Sequence, residues 1–362
     1  MSMLTVMLAA GGTGGHLFPA EALAQALTRR GVRIELVSDE RVEAFAGAFP
    51  ADAVHEIRAG TVTGRSLIGK ARGALKLGLG VMQCRGLVRR VNPAVVVGFG
   101  GYPTVPPVLA ASMLGVQTII HDQNAVMGRA NRFLAKRVTR IATGFPLKNS
   151  PFPEKTVQVG NPVRERVLAA AKIAYEPPTS SGMLRILVSG GSQGARVMSD
   201  VVPPAITSLP PEMQARISIV QQARAEDEAR VRGIYERAGV EAEVKPFFGD
   251  LPERIAAAHL VIARSGASTV AELAVIGRPA ILVPLPGALD QDQAANAQVL
   301  GSVGAAKIVP QAEFTPAWLV DELGKALETP GKLAEQANSA LSVGIPDASE
   351  RLADLVLRVA TG

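Results

Sequence analysis

The chain of 362 residues has one cysteine, Cys84, one tryptophan and only 4% aromatic residues. A single thiol excludes an internal disulfide and points to a reducing compartment. With aromatics this sparse, aliphatic residues and alanine must form the core of a chain that is 48% hydrophobic and 19% charged. The N-terminus lacks the basic segment of a signal peptide, and Met3–Ala10 reads instead as a first strand. Long apolar runs are missing too. The longest uncharged stretch, Val91–Ile120, contains Asn92, Pro93, Gly98, Gly100, Gly101, Pro103, Pro106 and Pro107. These interruptions exclude a continuous spanning helix. A soluble protein with length for two domains is the expectation.

Acidic residues are missing from one region. From Ile57 through Pro153 there are fourteen Lys and Arg residues and one acid, Asp122, so the segment carries +13 against +6 for the whole chain. Nucleic acid, anionic lipid or a phosphorylated substrate could partner such a region. Within it, Leu67–Met82 places Leu67, Ala71, Ala74, Leu75, Gly78 and Met82 on one helical face, widened by Ile68 and Leu79. Lys70, Arg72 and Lys76 flank that face, and Arg85, Arg89 and Arg90 follow. A basic amphipathic segment suits an anionic membrane surface, although such a helix can also simply pack its apolar face on the core.

Glycine is abundant where it matters. The run Met3–Ala10 breaks into Gly11-Gly12-Thr13-Gly14-Gly15-His16, and Leu184–Ser189 breaks into Gly190-Gly191-Ser192-Gln193-Gly194-Ala195-Arg196. Each reads as strand, glycine turn, helix, the arrangement that lets backbone N–H groups approach a phosphate. Short β-branched runs alternate with helical segments throughout, which predicts parallel sheets with helices on both faces. Candidate strands are Leu4–Ala9, Arg33–Val37, Ala94–Val97, Gln117–Ile120, Arg140–Ala142 and Thr156–Val159. In the second half they are Arg185–Ser189, Arg216–Val220, Ala242–Lys245, Leu260–Ala263, Ala280–Val283 and Ala306–Ile308. The domain boundary is expected between Asn161-Pro162 and the stretch Pro177–Gly182.

Several polar groups follow strands. A third glycine turn, Gly98–Thr104, places donors at the same sheet edge as the first. His121-Asp122-Gln123-Asn124 follows a strand and reads as a site. His16 sits at a helix start, where the dipole disfavours the imidazolium and keeps a neutral base. Asp39 ends the second strand and could bind a ribose, which keeps a nicotinamide dinucleotide reading alive. Arg264-Ser265-Gly266-Ala267-Ser268-Thr269-Val270-Ala271-Glu272 opens a helix, with Glu272 expected in its first turn. There Ser265, Ser268 and Thr269 can cap the helix or bind phosphate. Asp290-Gln291-Asp292 has the spacing of a metal-binding pair but also begins a helix, so no metal is expected.

Taken in order, these motifs resemble the MurG family, glycosyltransferases of family 28. The resemblance rests on Gly11–His16 with Pro19, Gly100-Gly101-Tyr102 with Pro103, and Gly160-Asn161-Pro162-Val163-Arg164. It continues through Gly190–Arg196 and Arg264–Glu272 to Asp290, Gln293, Asn296 and Ala297. It implies the GT-B fold: two Rossmann-like α/β domains with parallel sheets facing a central cleft. The first would span 1–162, with 346–362 packing back on it, and the second 163–345. The implied activity is inverting transfer of N-acetylglucosamine from its UDP ester to the 4-hydroxyl of an undecaprenyl-diphosphate-linked muramyl-pentapeptide.

Site roles follow from the same resemblance. His16 would be the general base, and Thr13, Gly14, Gly15 and Asn124 would hold the acceptor and part of the transferred sugar. The donor would lie on Gly191, Ser192 and Gln193 (diphosphate), Ala267–Ala271, Glu272 (ribose), Gln293 (sugar), the backbone at Phe248 (uracil) and Arg164. No cofactor or metal is implied. The implied location is the cytoplasmic face of a bacterial inner membrane, peripherally on its anionic surface, with cell-wall synthesis and division proteins as partners. Asp122 replaces a longer Glu often found in the family, and Asp292 stands where some members carry Gln. Another GT-B enzyme with a lipophilic acceptor and a two-domain NAD-dependent oxidoreductase are the alternatives. The paucity of aromatics speaks against nucleic acid.

Overall fold

A computed structural model describes residues 3–11, 14–39, 49–57, 67–147, 150–191, 194–287 and 292–362. For residues 67–72 and 74 it describes the backbone alone. The chain divides into two compact units, 1–164 with 346–362, and 165–345.

The first unit is built on seven parallel strands: β1 (Thr5–Ala9), β2 (Arg33–Ser38), β3 (Ala53–Glu56), β4 (Val95–Gly98), β5 (Gln117–Asp122), β6 (Arg140–Thr143) and β7 (Thr156–Gln158). Their order is β3-β2-β1-β4-β5-β6-β7. The second unit has six: β8 (Leu184–Ser189), β9 (Ile217–Gln222), β10 (Ala242–Lys245), β11 (Leu260–Ala263), β12 (Ala280–Leu282) and β13 (Ala306–Ile308). Their order, β10-β9-β8-β11-β12-β13, repeats the same winding. In both sheets the order reverses beside the first strand, between β1 and β4 and between β8 and β11. Open parallel sheets bind ligands at such a switch point, outside the carboxyl ends of the strands. Gly11 after β1, the turn Gly98–Thr104 after β4, and Gly190 and Gly191 after β8 stand there. The two-domain parallel α/β architecture read from the sequence is borne out.

Central strands bury both faces, so they read as unbroken apolar runs: Val6, Met7 and Leu8 in β1 and Val95–Val97 in β4 are fully buried. The edge strand β3, sequence Ala-Val-His-Glu, has no such signal and is not among the expected strands; its residues alternate between half-buried and exposed. The C-terminal helix Ala348–Thr361 packs Leu352, Ala353 and Val356 into the core formed by β1, β4 and the helix Gly14–Thr28. Arg29 and Arg30 pair with Glu350, and Arg30 also with Asp354, along that contact.

One buried cation organises the second unit. Arg278, 1% exposed, follows Gly277, whose left-handed backbone (φ 70°) ends the helix Ala267–Ile276. Its guanidinium donates to the carbonyls of Ala256 (3.0 and 2.6 Å), Ile276 (2.8 Å), Gly277 (3.1 Å) and Ile173 (3.0 Å). These carbonyls lie at the C-terminal ends of the helices Leu251–Ala257 and Ala267–Ile276 and just beyond Glu165–Ala170. Three negative helix ends thus meet one positive charge. The same cluster contains Tyr175, whose ring lies 5.3 Å from the guanidinium and whose hydroxyl donates to the carbonyl of His259. Burial and the charge of Arg185 push the His259 imidazole down to about 4, so it packs there neutral.

Candidate functional site

In the first unit, two glycine turns close on one imidazole. His16 lies in the opening turn of the helix Gly14–Thr28. A β-carbon placed on Gly101 would stand 3.2 Å from Cδ2 and 3.3 Å from Nε2 of His16; one on Gly100 would stand 3.4 Å from Cε1, and one on Gly11 3.3 Å from Cδ2. Gly100 (φ 88°) and Gly101 (φ 77°) also hold backbone that favours glycine. The ring is therefore seated against bare backbone on several sides. Two residues further along the helix, the Phe18 ring carries the Arg164 guanidinium 3.8 Å from its centroid. Arg164 thus lies within the first unit, beside the helix of His16. Gly14 also runs close to this pair: a β-carbon there would fall 2.9 Å from Phe18 Cε2, so the ring would have to shift. Thr13 lies outside the described residues, and Gly15 has open space around it.

The polar run after β5 needs correction. His121 and Asp122 are the last two residues of the strand, and both are buried along with Gln123. His121 Nε2 bonds the carbonyl of Gly160 at 3.0 Å, and burial pushes its imidazole down to about 4. The Asp122 carboxylate accepts from the backbone of Asn124 (3.1 Å) and Gly128 (2.9 Å) and from Asn131 Nδ2 (2.9 Å). Burial raises its pKa, opposed by those donors. Gln123 Nε2 donates to the carbonyl of Phe99 at 2.9 Å, and Thr104 Oγ1 donates to that of Gly100. Gln123 and Thr104 thus brace the glycine turn beside His16, while Asp122 holds the segment that follows β5. Of the run, only Asn124 is left half-buried rather than buried. Asn131, which donates to the His121 carbonyl and to Asp122, and Thr104, which donates four residues back to Gly100, are braces that no motif marks.

In the second unit the turn after β8 is held from β9. Gln222 Oε1 accepts from the Gly190 N–H (3.0 Å) and Ser189 Oγ (3.3 Å), and its Nε2 donates to the carbonyl of Pro246. A β-carbon on Gly190 would fall 2.1 Å from the nitrogen of Ala195, and Gly191 and Gly194 have φ of 79° and 66°. The helix Arg196–Thr207 follows without a side-chain cap, so its first N–H groups are not taken by its own cap residue. Ser192 and Gln193 lie outside the described residues. The polar pair Gln221-Gln222, ending an apolar strand, is the signal that would have found this brace.

After β11, Arg264 donates to the carbonyls of Val283 and Pro284, both at 3.0 Å, and to Gln311. Ser265 Oγ donates to the carbonyl of Gln293 at 2.8 Å, and Asn296 Nδ2 to that of Ser265. Gln293 Oε1 accepts the Leu285 N–H at 3.0 Å, which leaves its amide nitrogen for other partners. The helix Ala267–Ile276 starts early enough that Glu272 stands in its second turn, 7% exposed, and not in the first as expected. Ala267, Ser268 and Thr269 are half-buried at the helix start, where no side chain caps it; Val270 and Ala271 are buried. Phe248 is buried beneath the Arg254 guanidinium, which lies 4.4 Å from its ring centroid, and the Gly249 carbonyl accepts from Arg166 at 2.8 Å. Asp290 lies outside the described residues, while Asp292 opens the helix Asp292–Gly301 and accepts the Gln293 N–H at 2.9 Å.

The basic amphipathic segment forms one helix, Leu67–Val91, longer than expected. Leu75, Leu79 and Met82 are 65%, 54% and 66% exposed, while Val81, Cys84, Leu87 and Val88 face the core. Among the described residues, no helix is long and apolar enough to cross a membrane.

Residues 6–143 match the glycosyltransferase family 28 N-terminal domain, and residues 185–352 match its C-terminal domain. The chain is 58% identical over 360 residues to a protein of Methylobacterium nodulans named UDP-N-acetylglucosamine–N-acetylmuramyl-(pentapeptide) pyrophosphoryl-undecaprenol N-acetylglucosamine transferase. That alignment covers 98% of this chain and 96% of the relative. A protein of Rhodopseudomonas palustris with the same name is 55% identical, again over 98% of this chain and 96% of the relative. Among solved structures, MurG of Acinetobacter baumannii superposes with a TM-score of 0.80 at 28% identity, covering 98% of this chain and 99% of that one. The chain belongs to the MurG family of N-acetylglucosamine transferases, built from the two domains of glycosyltransferase family 28.

Proposed function

We propose that this chain is the enzyme that moves N-acetylglucosamine from UDP-N-acetylglucosamine to the 4-hydroxyl of the undecaprenyl-diphosphate-linked muramyl-pentapeptide, the lipid I to lipid II step of peptidoglycan synthesis. The observation that carries this reading is the near-full-length match to relatives named for that transfer. The geometry within the chain is consistent with it. His16 takes the proton of the acceptor hydroxyl as that oxygen attacks the anomeric carbon, and UDP leaves from the opposite face with inversion. Asn124, with Gly14 and Gly15, borders the acceptor. In the second unit the glycine turn after β8 and the uncapped start of the helix Arg196–Thr207 receive the diphosphate, whose growing charge is met by N–H groups and the helix dipole. Glu272 takes ribose hydroxyls, Gln293 the sugar and the backbone at Phe248 the uracil. These assignments call on no cofactor.

Donor calorimetry tests this assignment. UDP-N-acetylglucosamine should bind more tightly than UDP-glucose, and NADH should not bind. Glu272→Ala should lose roughly 1.5–3 kcal/mol per charge-assisted hydrogen bond to the ribose. Unchanged UDP affinity would remove Glu272 from the donor site, and tight NADH binding would favour the oxidoreductase.

The enzyme works peripherally on an anionic bilayer, at the cytoplasmic face where a lipid-linked acceptor presents its sugar. Exposed Leu75, Leu79 and Met82 beside Lys76, Arg85, Arg89 and Arg90 support this assignment. Each basic residue near the surface contributes about 1 kcal/mol. Removing the attraction of two of them therefore costs about 2 kcal/mol, or roughly thirtyfold in vesicle affinity. Leu75→Ser, Leu79→Ser, Lys76→Glu and Arg85→Glu together should release the protein from anionic liposomes in flotation and cut activity on the lipid-linked acceptor. Activity on a short-chain soluble analogue should survive. Wild-type protein that ignores anionic vesicles at low salt would make this helix an ordinary packed one.

A further inference from the structure

The glycine turn of the second unit has a cation pressed against it that none of the motif assignments includes. Arg224 lies two residues beyond β9, the strand beside β8, so it stands at the carboxyl edge of the sheet next to the Gly190–Gly194 turn. Its backbone is pinned, because its carbonyl accepts the N–H groups of Asp227 (2.8 Å) and Glu228 (2.9 Å) at the start of the helix Ala225–Ala238. Its stem is pinned as well: a β-carbon on Gly194 would fall 2.9 Å from Arg224 Cγ, and Gly194 has a positive φ of 66°. Glycine at 194 thus serves both the turn and the close approach of this arginine.

The head group is held far less firmly than the stem. One terminal nitrogen reaches the Gly194 carbonyl at 3.4 Å, the outer limit of a hydrogen bond. The other lies 3.8 Å from Glu226, which is 68% exposed and contributes little. Of the neighbouring acids, Asp227 engages Arg230 through Oδ1, its Oδ2 being buried with no hydrogen-bond partner, and Glu228 engages Arg232. Arg224 Nε is buried and has no hydrogen-bond partner. A guanidinium N–H shut from water and left unpaired is costly, and native structures rarely tolerate it without a reason. Arg264, which follows β11 on the other side of β8, has its terminal nitrogens on Val283, Pro284 and Gln311.

We propose that Arg224 is a donor-binding residue, its guanidinium meeting the diphosphate of the nucleoside diphosphate sugar beside Gly190, Gly191 and Gly194. This rests on the donor reading given above. Arginine suits the task, because its planar fork can take two oxygens of a phosphate while its stem stays packed on Gly194. The departing diphosphate gains charge as the sugar leaves, so the same contact strengthens along the reaction.

Calorimetric titration of UDP and of uridine into wild type, Arg224→Gln and Arg224→Lys tests the assignment. The glutamine variant removes the charge and the planar fork and shortens the side chain, while keeping one amide donor. It should weaken UDP roughly tenfold to a hundredfold while leaving uridine unchanged. Lysine should restore part of the UDP affinity, more at low salt than at high. An equal loss for uridine and UDP would mean that Arg224 merely supports the turn, and an undiminished UDP affinity would remove it from the site; either overturns the proposal. Wild-type protein that binds neither ligand would instead overturn the donor reading on which the proposal stands.

Discussion

Replacing His16 by alanine is expected to lower turnover by roughly 10²–10⁴-fold while donor affinity stays near that of wild type. The ring is positioned by its surroundings, since Gly11, Gly100 and Gly101 bring backbone close enough that an added β-carbon would stand 3.2–3.4 Å from it. The turn carrying Gly100 and Gly101 is held in turn by Gln123 on Phe99 and Thr104 on Gly100. The variant should therefore fold, and the loss should appear in kcat with the lipid-linked acceptor saturating. His16→Gln, which keeps hydrogen-bonding capacity without a comparable base, should be nearly as impaired. Near-normal turnover by either folded variant would assign the proton to another group or to water.

The largest expected effect on stability lies at Arg278, which none of the site assignments uses. Its five bonds to carbonyl oxygens tie together the ends of three helices. Arg278→Met keeps the apolar stem but leaves those carbonyls with no cation in a buried place. The expected cost is about 3–5 kcal/mol, the range of a broken buried polar network. Trp318, the single tryptophan, packs against the core of the second unit, so its fluorescence during urea unfolding reports that unit. A midpoint unmoved by the substitution would show that the carbonyls find other partners.

Much of the fold was legible because parallel strands buried on both faces leave unbroken apolar runs, as in Val6–Ala9 and Val95–Val97. The edge strand Ala53–Glu56 left no such trace. The glycine turns were legible because positive φ and close approach both demand glycine, as at Gly100, Gly101 and Gly194. Side-chain direction was not legible. His121, Asp122 and Gln123 have the composition of a binding site but point inward as braces. Arg278 and Arg224 sit in unremarkable sequence, and what they do depends on which helix ends and which strands become neighbours. Glu272 was found by motif but placed one turn too early, since no polar cap marks the start of its helix at Ala267.

The most direct test is to incubate the purified chain with UDP-N-acetylglucosamine and the undecaprenyl-diphosphate-linked muramyl-pentapeptide and identify the product by mass spectrometry and linkage analysis. The account predicts UDP and an equal amount of a lipid-linked disaccharide joined β-1,4, from an α-linked donor. A donor hydrolysed without glycosylating this acceptor, or a sugar attached with retained configuration, would contradict it.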